Sequence, residues 1–84
     1  MAKIEPTLDR QLRAAPEVVV DLIVRTEGDP KPHLPWLQAH GLIVRQTFRL
    51  MPGLALAGPG AEALKLLDQD WVISIELDRP VQAL

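Results

Sequence analysis

Glu76 and Asp78 stand two residues apart in the run Trp71-Val72-Ile73-Ser74-Ile75-Glu76-Leu77-Asp78. Successive side chains on a strand point to opposite faces, so both carboxylates share a face with Ser74, opposite Ile73 and Ile75. A carboxylate pair presented in this way has the chemistry to cap helix N-termini of a partner, where unpaired N–H groups and the helix dipole favour negative charge. Downstream lies Val81-Gln82-Ala83-Leu84, preceded by Pro80, which favours extended backbone at Arg79. A short, mostly apolar, extended segment suits strand addition, in which main-chain groups pair with a partner and alternate side chains enter pockets. Arg25, Arg45 and Arg49 can balance charge on the carboxylate face, but exposed ion pairs contribute little.

The other reactive side chains point to no chemistry of their own. His33 and His40 are seven residues apart, with Glu27 and Asp29 close in sequence, but prolines interrupt any helix joining them and no supporting shell is visible. No metal site is expected. Ser74 has no base or oxyanion hole assigned to it, so the chain is not expected to be an enzyme. Gly58-Pro59-Gly60 lacks the lysine and spacing of a phosphate loop, and no cofactor is expected. The absence of cysteine excludes disulfides, thiolate metal ligands and a cysteine nucleophile.

Composition narrows the partners. Nine basic and eleven acidic residues give a formal net charge of −2, without the basic excess that attracts a phosphate backbone. The single phenylalanine, Phe48, alternates with core positions and so offers no stacking platform; no nucleic-acid partner is expected. No apolar stretch approaches the roughly 20 residues needed to span a bilayer, and no membrane partner is expected. Lys3, Glu5, Asp9, Arg10 and Arg13 interrupt any apolar run near the start, and no signal peptide is expected in the sequence as written. As written, the chain is expected to be soluble and cytoplasmic, or extracellular if it is an excised prodomain. Eighty-four residues suit one core of modest stability, to which a bound partner would add.

The elements that position these residues follow from periodicity. Thr7 can cap a short helix over Leu8–Ala14, stopped by Pro16, and residues 1–17 read as an N-terminal appendage. Val18–Arg25 is β-branched and apolar enough for a central strand. Glu27–Pro35 is a loop, and Pro35 fits the first turn of a short helix ending at Gly41. Leu42–Leu50 alternates, with Leu42, Val44, Phe48 and Leu50 on one face and Ile43, Arg45, Thr47 and Arg49 on the other. Met51-Pro52-Gly53 turns the chain into an antiparallel strand over Leu54–Ala57. Ala61–Leu67 carries a helical stripe, and Trp71–Leu77 is the last strand, with Trp71, Ile73, Ile75 and Leu77 on one face. The order β-α-β-β-α-β predicts an α+β, ferredoxin-like fold: a four-stranded antiparallel sheet with two helices on one face and the other face open. An uncovered face of this kind would also admit a homodimer.

Three segments carry a family resemblance: Asp21-Leu22-Ile23-Val24-Arg25, Phe48-Arg49-Leu50-Met51-Pro52-Gly53-Leu54-Ala55-Leu56, and Ala63 through Asp78. In their order and spacing they resemble the propeptides of subtilisin-like serine proteases, over Val20–Leu84. Residues 1–17 have no counterpart in that pattern, and the segment from Gly28 to His40 is shorter than the family's long first helix. The resemblance implies a propeptide-inhibitor-like domain over 18–84. It implies that residues 79–84 form an inhibitory tail whose Val81, Gln82, Ala83 and Leu84 dock product-like in the protease cleft, the chain ending where a cleaved propeptide would end. Leu84 would fill the first specificity pocket and Val81 a second apolar one, while Glu76 and Asp78 cap two protease helices. Inhibition, together with a folding-chaperone role, is the function it implies; the alternative is a non-inhibitory interaction or small-ligand regulatory module on the same topology.

Overall fold

In the computed structural model, which describes residues 2–79, the chain runs β1 (Lys3–Ile4), α1 (Pro6–Ala14), β2 (Val19–Thr26), α2 (Leu34–Ala39), β3 (Ile43–Phe48), β4 (Gly53–Pro59), α3 (Gly60–Leu64) and β5 (Val72–Leu77). Single 3-10 turns lead into α2 at Lys31–His33 and extend α3 at Lys65–Asp68. The result is a mixed α+β domain with one five-stranded sheet, in the order β1-β5-β2-β4-β3. β2 pairs antiparallel with β4 on one side and β5 on the other, and β3 pairs antiparallel with β4. The sheet has five strands where the sequence predicts four, because Lys3 and Ile4 add a parallel edge strand opposite Ser74 and Ile75.

β2 shows why the sheet is one-sided. Leu22 and Val24 are fully buried and Thr26 nearly so, whereas Asp21 is exposed and Ile23 and Arg25 are half-buried. The alternation sends one set of side chains into the core and the other to the open face. Leu54 and Leu56 of β4 and Ile75 of β5 face the same interior. Leu8 and Leu12 of α1, Leu37 of α2, Ala63 of α3 and the adjoining Leu66 close over them in a single cluster. All three helices therefore lie on the side of the sheet that holds the leucines.

The N-terminal segment corrects one expectation. Residues 1–17 were expected to form an appendage, yet Leu8 and Leu12 are among the most buried residues of the core. Their helix starts at Pro6 rather than after a Thr7 cap, because Pro at the first position fixes a helical φ and needs no N–H partner. Two backbone bonds tie the segment to α3: Gly60 N–H donates to the Val18 carbonyl (3.1 Å) and Ala61 N–H to the Pro16 carbonyl (2.9 Å). Gly60 permits this approach, since a Cβ there would lie 2.9 Å from the Leu12 carbonyl oxygen.

The loop and turn chemistry matches expectation more closely. Pro35 sits in the first turn of α2, and the helix, whose last residue is Ala39, is closed by Gly41 with φ +71°. The Gly41 N–H donates to Gln38 and the Leu42 N–H to Leu37, satisfying the last carbonyls as a left-handed glycine cap does. No helix of the described residues is long and apolar enough to cross a membrane.

Leu12→Ala tests the integration of α1. Removing a fully buried leucine from a packed core should cost about 2 to 5 kcal/mol, read as a lower urea midpoint; an appendage would show a change near zero.

Candidate functional site

The open face of the sheet is the candidate site, and register assigns its residues. Cross-strand partners share a face, so Asp21, Ile23 and Arg25 of β2 stand beside Ala57, Ala55 and Gly53 of β4. Across the other edge of β2, Glu76 is level with Ile23 and Ser74 with Arg25. The ladder continues one residue past β5, where the Asp78 N–H donates to the Asp21 carbonyl at 2.9 Å. Glu76 and Asp78 thus occupy the same face, as their spacing predicts, and Ile75 lies on the other. Val81, Gln82, Ala83 and Leu84, the expected tail, lie outside the described residues.

Two β-bulges change which residues reach this face. On β3 the pairing passes from Val44↔Leu56 to Gln46↔Ala55, leaving Arg45 as the extra residue. Beyond it Thr47 faces Leu54 and Phe48 faces Gly53, so Phe48 moves to the open face, opposite to the expected alternation. Phe48 is therefore an open-face aromatic and not the core residue that its alternation predicts. On β5 the pairing passes from Val72↔Thr26 to Ser74↔Arg25, and Ile73 is the extra residue. Val72 is buried, and Ile73, expected to share a face with Ile75, is 44% exposed and lines the open side with Arg25, Leu50 and Met51.

The face is shallow and chemically divided. A depression of about 460 Å³ is bordered by Ile23, Arg25, Phe48, Leu50, Met51 and Glu76. The Arg25 guanidinium lies 5.8 Å from the centroid of the Phe48 ring, and its Nη1 donates to the Met51 carbonyl at 3.3 Å. Arg45 reaches across Ala57 to Asp21, with Nε 3.4 Å from Oδ1. Such bridging is possible because β4 offers only the small residues Gly53, Ala55 and Ala57 between β2 and β3 here. The β5 edge carries Glu76 and Asp78, neither of which has an ion-pair partner among the described residues. Asp78 lies directly opposite Asp21, an unfavourable pairing of like charges within the isolated domain.

Apolar side chains complete the surface. Leu50 is fully exposed and Met51 is 64% exposed at the turn between β3 and β4, while Val19 and Ile43, each 64% exposed, occupy the other end of the strands. Alternation on β2 and the Ile43↔Ala57 pair put both on the open side.

The histidines serve packing. His33 stacks on Trp71 at 4.0 Å between centroids and His40 on Trp36 at 4.0 Å, and the two tryptophans meet edge to face at 5.9 Å. His40 Nδ1 lies 2.8 Å from the Trp36 carbonyl oxygen. Among the described residues no group of three or more His, Asp or Glu side chains is placed to hold a metal. Ser74 lies on the open face, flanked in register by Arg25 and Lys3.

Gln46, Phe48 and Ile73 are open-face residues that simple alternation misses, whereas Arg45 lies on the face it assigns. The signal was available: Gln46 stands where an apolar residue should follow Leu42 and Val44, and Trp71-Val72-Ile73 is apolar at three successive positions. The chain matches no protein-family model, no curated protein and no solved structure.

Because neither Glu76 nor Asp78 has an ion-pair partner among the described residues, Glu76→Gln should change stability by less than about 0.5 kcal/mol. Asp78→Asn should leave it unchanged or raise it by a few tenths of a kcal/mol, by relieving its repulsion with Asp21. Urea midpoints at low ionic strength measure both, and a loss above about 1 kcal/mol would assign these carboxylates a structural role.

Proposed function

We propose that this domain inhibits a subtilisin-like serine protease, docking its open sheet face on the enzyme and directing the segment Val81–Leu84 into the substrate cleft. The observation that carries the reading is the uncovered face on which Glu76 and Asp78 occupy consecutive same-side positions at the end of β5, immediately before that segment. Two carboxylates with no ion-pair partner among the described residues, about 7 Å apart along a strand, are suited to receive helix N-termini, whose N–H groups lack internal partners. The like-charge pairing of Asp78 with Asp21 gives the bound state something to relieve.

The β2-α2-β3-β4-α3-β5 portion is read as a ferredoxin-like arrangement elaborated by β1 and α1. Antiparallel pairing in the order β5-β2-β4-β3 supports that reading, as does the placement of the helices on one side. The resemblance of the Asp21–Arg25, Phe48–Leu56 and Ala63–Asp78 segments to subtilisin propeptides supports the choice of partner. A non-inhibitory interaction module would use the same face, and inhibition separates the two.

The purified chain should inhibit subtilisin competitively and leave trypsin, which demands a basic side chain, unaffected; a flat titration to tens of micromolar would remove the proposal. Glu76→Ala combined with Asp78→Ala should raise the inhibition constant about 3-fold to 30-fold, since each cap contributes roughly 0.3 to 1 kcal/mol or somewhat more when partly buried. Deleting Val81–Leu84 should weaken inhibition by at least about a hundredfold, through loss of two apolar anchors worth roughly 1.5 to 3 kcal/mol each. The fold should survive that deletion, because Leu77 is the last of the described residues packed against the core.

A further inference from the structure

We propose that the open face also pairs two copies of this chain, through a twofold axis that runs parallel to the strands between β2 and β4. The inference rests on the register of the face and not on the protease reading. It concerns where the exposed apolar residues lie and how the charges are divided. Val19, Ile43, Leu50, Met51 and Ile73 all sit on this face or its rim, and they leave a free monomer with a broad apolar surface in water.

A twofold interface must be complementary to itself. Rotation about an axis along the strands sets each strand of one copy over its mirror column in the other, at the same level. β2 then lies over the partner copy's β4, so that Ile23 meets Ala55 and Arg25 meets Gly53, large side chains against small ones. β5 lies over β3. Glu76 is level with Gln46, next to the bulged Arg45, so the carboxylates of β5 meet the arginine of β3 twice, with Lys3 of β1 lying outside the four paired strands. Ile73 falls near Phe48 and Leu50. An axis across the strands would instead keep acidic β5 over acidic β5 and basic β3 over basic β3, so the charge division selects the first arrangement.

Size sets the strength. Four strands about 4.8 Å apart and seven residues long at about 3.3 Å each present roughly 450 Å² of flat face. A stable interface buries about 800 Å² per partner, so this one should form a weak, reversible dimer that is stronger at low salt. Pairing covers Glu76, so the dimer and any complex made through the open face exclude each other.

Sedimentation equilibrium of the full chain alone, without protease, tests the proposal over about 1 μM to 1 mM, the range expected for an interface of this size. The expected result is a monomer–dimer equilibrium that weakens with added salt. Arg45→Glu and Glu76→Arg, each alone, should weaken association at least about tenfold by placing like charges at both contacts. The two substitutions combined in one chain should restore it, and so should an equimolar mixture of the two single variants, in which every contact is again opposite in charge. Circular dichroism of each variant confirms that the fold is retained, and restoration in the mixture shows that both chains remain competent. A monomer at every concentration would overturn the proposal, as would association that ignores the charge reversals or a double variant that fails to recover it. Protease inhibition is read in a separate assay, so either proposal can fail while the other stands.

Discussion

The central position of β2, paired on both sides and buried on one face only, is the constraint from which the other features follow. With Leu22 and Val24 wholly removed from water, the register of β4 and β5 against β2 is fixed, because a one-residue slip would turn Leu54, Leu56 and Ile75 outward. Burying these side chains contributes roughly 1.5 to 3 kcal/mol each, far more than any ion pair on the surface. The helices, all short, gather where that apolar surface is. The opposite face is left open because α1, α2 and α3 are committed to the first.

Much of this was legible in the residues. The β-branched run before Arg25 could only be an interior strand, and Pro35 and Gly41 bracket α2 because proline fits a first turn and glycine accepts a positive φ. What misled was phase. Alternation carries a strand's faces forward only while each residue has one partner, and at Arg45 and Ile73 two residues oppose one. Phe48 and Ile73 therefore appear on the side opposite to the one a strict period of two assigns. The N-terminal helix misled for a different reason. Leu8 and Leu12 form a stripe too short to declare its own burial, and only the closeness allowed by Gly60 shows how firmly it packs.

The open face combines the properties expected of a docking surface with those of a liability. Its small residues on β4 let Arg25 and Arg45 lie flat, and Glu76 and Asp78 are held by backbone register, with no ion-pair partner among the described residues. These carboxylates contribute little to the fold and are available for a partner. Exposed Leu50, Met51 and Ile43 point the same way, since burial on binding would return what the free domain forgoes. Edge strand β3 is interrupted by a bulge and carries arginine, features that discourage strand-to-strand pairing and leave the face, rather than the edge, as the surface for association.

The isoleucines report most directly on which face binds. Ile23, Ile43 and Ile73 lie on the open side, whereas Ile75 is buried in the core and Ile4 packs against it. A methyl NMR titration of a dilute, isoleucine-labelled chain with an active-site-blocked subtilisin reads all five at once. The account predicts large shifts at Ile23, Ile43 and Ile73 with Ile4 and Ile75 nearly unmoved; no shifts, or equal shifts on the two sides of the sheet, would contradict it.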